Sequence, residues 1–386
     1  MIKKMFRHYD YSLIIAILLL SGFGLLMVYS SSIVVSVIEL KQSSNFFFLK
    51  QLKWLLIALV MFFLTMLFPY KAYKRFMKLV AMLSIIVLLS VKVFGSVANN
   101  AQSWLSIGGV SVQPSEFVKL GMIIYLAAIF SKKQTYISDF TKAVLPPLIM
   151  IVVVFLLVAS QPDLGTALII AGISGVMIIC SGMRMKHLFS LIGLAVLAIG
   201  FAAPFFLTAE QSSRFAGAYD PFSDPDGNGY QLVNSYIAIA SGGVSGRGLG
   251  QSIQKFGFLP EPQTDFIMAI ISEELGIFGV LFVLGLLAFI VFKGFLIGMR
   301  CKDTFGSLLA IGIAAMLAIQ SIVNLGAVTG LLPITGVPLP FISYGGSFLV
   351  LSMIAMGILV NISSFVNMKQ SYSTNTANTK GKITLT

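Results

Sequence analysis

An all-α integral membrane protein with about ten transmembrane helices is the fold class this 386-residue sequence predicts, on three observations. Charged residues make up 10% of the chain and hydrophobic ones 57%, where a typical soluble domain carries roughly 25% charged. Apolar runs of about 20 residues, the length that crosses a hydrocarbon core, recur from end to end and leave no room for a separate soluble domain. The basic residues gather in small groups on alternate connections between those runs, as cytoplasmic loops do.

The first run, about 11–36, follows Lys3, Lys4 and Arg7. It is too long for a signal peptide and no small-residue cleavage site follows, so it is expected to stay as the first helix. Further helices are expected near 46–68, 77–95, 115–131, 143–160, 163–182, 187–207, 265–292, 305–331 and 341–366. The even count puts both termini on one side. With that side cytoplasmic, the inner segments hold Lys3, Lys4, Arg7, Lys71, Lys74, Arg75, Lys78, Lys132, Lys133, Lys142, Arg184, Lys186, Lys293, Arg300, Lys302, Lys369, Lys380 and Lys382, which is 18 of 26 basic residues. The outer segments hold Lys41, Lys50, Lys53, Arg214, Arg247 and Lys255, a bias that fits the positive-inside rule.

The acidic residues run the other way. Of 14, only Asp10, Asp139 and Asp303 fall inside, so any chemistry belongs to the outer face. The chain divides into a cytoplasmic N-terminus (1–10), one membrane domain (11–366) and a tail (367–386) of Ser, Thr, Asn and Lys, too polar to pack and expected to be disordered. The one long connection, 208–264 between the seventh and eighth helices, is extracytoplasmic, and loops of that length are functional or disordered. No internal repeat stands out.

Several classes drop out. The net charge of +12 would suit nucleic acid, but its carriers are spread between apolar runs and face anionic lipid instead. Cys180 and Cys301 fall at cytoplasmic helix ends without metal-ligand spacing and read as apolar residues. His8 and His187 flank helices on the same side, and no Ser/His/Asp set appears.

Five stretches carry chemistry. Pro260-Glu261-Pro262-Gln263-Thr264-Asp265 leads into the eighth helix, where Thr264 or Asp265 could simply cap it. Glu273 and Glu274 follow about 12 Å deeper, where charge needs partners or a wet cavity, so an acidic opening to the outside is expected. In Gln113-Pro114-Ser115-Glu116-Phe117-Val118-Lys119 the proline opens a helix and Glu116 and Lys119 share a face, either as a neutralising pair or as a cation for an anionic ligand with its positioning partner. Asp163, after Pro162, reads equally as a cap or a ligand contact. Ser241 to Gly250 holds five glycines that permit close backbone approach; it lacks the Gly-Lys-Ser/Thr of a Walker loop, and Arg214, Arg247 and Lys255 read as solvated loop charges before pyrophosphate clamps. Gly326 to Ser347, an uncharged run broken by Pro and Gly and including Ser343, is tolerated at membrane depth only against protein or water, and is expected to line the same outer cavity.

The strings NNAQSWLSIGGVSVQPSEFVKL, QPDLGTALII, GLGQSIQKFGFLPEPQTDFIMAIISEELG and LLPITGVPLPFISYGGS resemble the SEDS family of bacterial shape, elongation, division and sporulation proteins, its division members above all, over residues 8–367. The resemblance implies a peptidoglycan glycosyltransferase that polymerises lipid II at the outer face of the bacterial cytoplasmic membrane, at the septum, beside a class B penicillin-binding protein and other divisome membrane proteins. It implies Asp265 as the essential aspartate of a TDF motif, Glu116 and Lys119 in QPSEF-K, Trp104 on the preceding outer loop and Asp163 in QPDLGT; Arg247, Glu273, Glu274 and Ser343, from the stretches above, are expected in the substrate-binding set beside them. No cofactor is read from the sequence; a divalent cation, Mg or Mn, is the one the chemistry leaves open. The lipid tail of the substrate calls for a laterally open groove beside Asp265. A lipid II flippase, an elongation or sporulation paralogue, and a recruiting scaffold are the other readings.

Overall fold

The computed structural model describes residues 5–98, 101–107, 110–184, 186, 187, 189, 190, 193 and 209–383. Its first helix, α1 (Tyr11–Val34), is capped by Asp10, which accepts from the Leu13 N–H, and runs on through a wide turn to Glu39. Next come α2 (Phe46–Leu67) and α3 (Met77–Phe94), joined by single turns over Tyr70–Phe76. A small antiparallel sheet follows, β1 (Ser96–Ala98), β2 (Ala101–Ile107) and β3 (Val110–Val112), with Ser96 opposite Trp104 and Leu105 opposite Val112. This sheet occupies the outer segment expected as a loop between the third and fourth helices, in a chain that is otherwise helical. Leu105-Ser106-Ile107 and Val110-Ser111-Val112 alternate apolar and polar residues with the period of a strand.

Beyond the sheet lie α4 (Pro114–Lys132), α5 (Leu145–Ala159), α6 (Leu164–Cys180), α7 (Ala209–Tyr219), α8 (Tyr230–Gly242), α9 (Ile267–Arg300), α10 (Thr304–Val328) and α11 (Gly346–Ile383). The expected helix at 187–207 falls almost wholly outside the described residues. The long outer connection carries α7 and α8. In α8, Leu232, Ser235, Ala238 and Gly242 recur at helical spacing and are buried, so this stretch folds for the same reason a core helix does. The last helix runs on to Ile383, past the boundary expected at 366, with Asn367 donating from its side chain to the His8 carbonyl at 2.9 Å.

Among the described residues, eight helical segments are long and apolar enough to cross a membrane, and α6, one residue short of that length, is a ninth apolar helix. The protein is a multi-pass membrane protein. Three helices form its centre: the most apolar windows of α4, α10 and α11 are 78%, 72% and 89% buried, against 22% for α2 and 28% for α9, which turn their Leu and Phe side chains toward lipid. Close approach at the centre depends on small residues. At Gly357 of α11 an added Cβ would lie 2.5 Å from the Phe62 carbonyl of α2, and at Gly346 it would enter the Trp54 ring.

The expected alternation of helix directions is visible in polar contacts at one end. Lys293, about two turns before the end of α9, bonds Asp10 before α1 at 2.9 Å, and Asn361 of α11 binds the Tyr70 N–H and the Met66 carbonyl. All of these residues stand at ends expected to be cytoplasmic.

Candidate active site

At the opposite end the connection between α10 and α11, residues 329–345, acts as a bridge. On one side, Thr335 and Val337 pack against Gly165 at the start of α6, and Ser347 lies 3.5 Å from the Gln113 N–H before α4. On the other, the Tyr344 N–H donates to the Gln263 carbonyl at 2.8 Å. The side-chain amide of Asn324 on α10 donates to the carbonyls of Asp265 and Val337 at 2.7 and 2.8 Å. The QPSEF, QPDLGT and TDF segments are therefore joined through this connection and the start of α11.

Asp265 is partly exposed, and it does not cap α9: the helix begins after Phe266 with no side chain bound to its first turn. Its Oδ1 lies 3.0 Å from the Thr264 hydroxyl, which is shared with Glu261. Burial of the carboxyl, with Glu261 adding to it, raises its pKa to about 6, while the Thr264 bond and the positive charge of Arg214 act against the rise. Glu261 itself takes a φ of 53°, a left-handed conformation that a non-glycine residue holds only where its surroundings impose it.

Glu116 and Lys119 form an ion pair at 2.8 Å, with side chains 4% and 1% exposed. Pro114 opens α4 as expected, the Lys119 ammonium stands 5.7 Å from the centre of the Phe348 ring, and Glu116 Oε2 has no protein partner. Asp163 caps α6 through the Thr166 N–H at 3.0 Å and accepts from the Gln113 side chain at 3.0 Å, tying the starts of α6 and α4 together. Trp104 is half-buried on β2.

Four expected site residues have other duties. Glu273 and Glu274 are wholly buried and line no opening. Glu273 accepts from the Ile253 and Gln254 N–H groups and from Ser252, and Glu274 accepts from Lys255 and Ser30. Charge at that depth is met by partners, not by a wet cavity. Arg247 turns onto Glu273 at 3.8 Å, and Lys255, expected in solvent, is 2% exposed. The Ser343 hydroxyl closes its own turn by accepting from the Leu339 N–H at 2.8 Å. The sequence reading missed Asn324, whose signal was a second amide, one turn after Gln320, near the outer end of an apolar helix. Arg214 read there as a loop charge before a pyrophosphate clamp, and its effect on Asp265 leaves no sequence pattern.

Among the described residues, no three His, Cys, Asp or Glu side chains stand together as a ready metal cage. An apolar groove of about 320 Å³ opens between α1 and α9, lined by Ser12, Ile15, Ala16, Leu19, Leu286 and Phe289, toward the Asp10–Lys293 end and not beside Asp265.

The family model described as "Cell cycle protein", covering FtsW, RodA and SpoVE, matches residues 11–368. The chain belongs to this family. Within it, the chain is 54% identical over 379 residues to a probable peptidoglycan glycosyltransferase FtsW of Bacillus subtilis, covering 96% of this chain and 94% of the relative. It is 42% identical to the stage V sporulation protein E of the same organism, covering 92% and 97%. Among solved structures it is similar to a chain of a peptidoglycan synthase complex that coordinates polymerization and crosslinking, with a TM-score of 0.75, 25% identity, and 93% and 98% coverage. The RodA of Thermus thermophilus shares the fold at a TM-score of 0.68, covering 92% of this chain and 96% of that one. Membership in the family joins the four motif strings to one fold.

Proposed function

We propose that this chain is a peptidoglycan glycosyltransferase of cell division that polymerises lipid II at the outer face of the cytoplasmic membrane, with Asp265 as general base. The observation that carries the reading is the placement of Asp265: a carboxyl that caps nothing and is bonded by the Thr264 hydroxyl, on a residue whose backbone carbonyl is held by Asn324, with its pKa near the working range of a base.

The donor's anomeric carbon carries an α-linked pyrophosphate and the product is β-1,4-linked, so one inverting displacement suffices. The acceptor hydroxyl attacks that carbon, its proton passes to Asp265, and the bond to undecaprenyl pyrophosphate breaks. Pyrophosphate leaves without a second acid, and its growing charge needs cations. Lys119 supplies one from α4, where Glu116 holds it, and Arg214, whose charge acts on Asp265, supplies the other in place of Arg247. Asp163 ties the starts of α4 and α6 together, and Trp104 on β2 is the proposed outer contact for the substrate. A divalent cation, when bound, would neutralise pyrophosphate, with Asp265 the side chain available to it.

Glycan strands then pass to a class B penicillin-binding protein, which crosslinks them at the septum together with other divisome membrane proteins. The test is polymerisation of purified lipid II by the full chain with its cognate transpeptidase in lipid nanodiscs. Glycan strands are the expected product; lipid II translocation in vesicles without polymer would move the assignment to a flippase.

A further inference from the structure

α9 is interrupted at Gly276, whose φ of 61° and ψ of −154° suit glycine alone. The interruption frees backbone groups, and the glycine-rich stretch after α8 supplies their partners. The Arg247 and Gly248 N–H groups donate to the Glu273 and Glu274 carbonyls, each at 2.9 Å, and the Ile277 N–H donates to the Val244 carbonyl at 3.2 Å. The glycines permit this approach: a Cβ at Gly276 would overlap the Gly246 nitrogen, and one at Gly242 would overlap the Ser272 carbonyl.

Side chains lock the same junction. The Lys255 ammonium, buried, donates to Glu274 at 2.8 Å and to the Gly250 carbonyl at 2.7 Å, and the Ser30 hydroxyl of α1 donates to Glu274 at 2.7 Å. The half-helix Ile267–Leu275 and the segment leading into it are thus tied to each other and, through Ser30, to α1.

Desolvating two charges offsets their attraction, so a pair with side chains 3% and 0% exposed adds little net stability. What it adds is direction. Asp265 stands eleven residues from Gly276, about 16 Å along a helical path, so a swing of about 4° at that joint moves the carboxyl by roughly 1 Å. A displacement of that size is enough to cost on the order of 100-fold in rate.

We infer that Lys255, Glu274 and Ser30 form a positioning clamp that holds the half-helix bearing Asp265 against α1, with Gly276 as its joint. The inference rests on Asp265 being the base. The experiment measures kcat and KM for lipid II polymerisation by the full chain with its transpeptidase, beside thermal stability, for Ser30→Ala, Ser30→Thr, Lys255→Met/Glu274→Gln and Asp265→Asn. The clamp predicts that Ser30→Ala loses about tenfold in kcat with KM within about twofold and stability unchanged, and that Ser30→Thr, which keeps the hydroxyl, restores it. The neutral pair leaves no buried charge unpaired, so its stability stays at the wild-type level while kcat stays about tenfold low. If Ser30→Ala and the neutral pair both turn over at the wild-type kcat while Asp265→Asn is inactive, the clamp is overturned and the base stands. If Asp265→Asn is fully active, the base reading falls and takes the clamp with it.

Discussion

A base beside a lipid-borne sugar must be dry enough to be reactive and still ionised at neutral pH. Asp265 meets both demands, with burial raising its pKa to about 6 and Thr264 and Arg214 limiting the rise. Polymerisation should therefore fall off with an acid limb near pH 6. Because Arg214 lowers the Asp265 pKa, Arg214→Gln should move that limb to higher pH, read from rate–pH profiles of the two proteins. The stability consequence has the opposite sign to that of a salt-bridged aspartate. A carboxyl whose folded pKa is raised binds more protons in the fold, so its contribution falls as pH rises from the usual carboxylate range to about 6. Asp265→Asn, which cannot ionise, should be at least as heat-stable as wild type at pH 7.5. Lys119 behaves differently: Lys119→Met strands the buried Glu116 carboxylate, and a broken buried pair costs about 3–5 kcal/mol, so both melting temperature and activity should drop.

Among the elements, the transmembrane helices were legible because lipid demands long apolar runs, and α4 was placed to within a residue by Pro114. The positions of the candidate residues at helix starts, Glu116, Lys119, Asp163 and Asp265, were legible for a related reason, since charge next to an apolar run is conspicuous. The partners of Glu273 and Glu274 were not. Those of Glu274 arrive from Ser30, 244 positions away, and from Lys255, those of Glu273 from Ser252, Ile253 and Gln254 in the same outer loop, and spacing along the chain carries no record of these meetings. The sheet at 96–112 and the helices of the long connection were missed because their short periodicities are weak beside runs of about 20 apolar residues. The α2–α11 crossing offers a test of packing independent of the chemistry. Gly357→Val would press a branched side chain into Thr65 and the Phe62 carbonyl and should lower the melting temperature in detergent, whereas Gly285→Ala, with open space around it, should not.

Across the whole molecule, charge is sorted by side, and the polar contacts sort with it. Asp10, Tyr70, Lys293 and Asn361 bind one another's helix ends at one pole, while Gln113, Asp163, Asp265 and Asn324 gather at the other. In a variant with Cys180 and Cys301 replaced by serine, Lys41→Cys should react with an impermeant thiol reagent added outside intact cells and Lys133→Cys should not. The central claim is tested most directly by comparing wild type with Asp265→Asn at equal folded amounts, each with the cognate transpeptidase, on purified lipid II. Glycan strands from the wild type and none from the variant are predicted; strands of equal yield from both would remove Asp265 from the reaction and contradict the account.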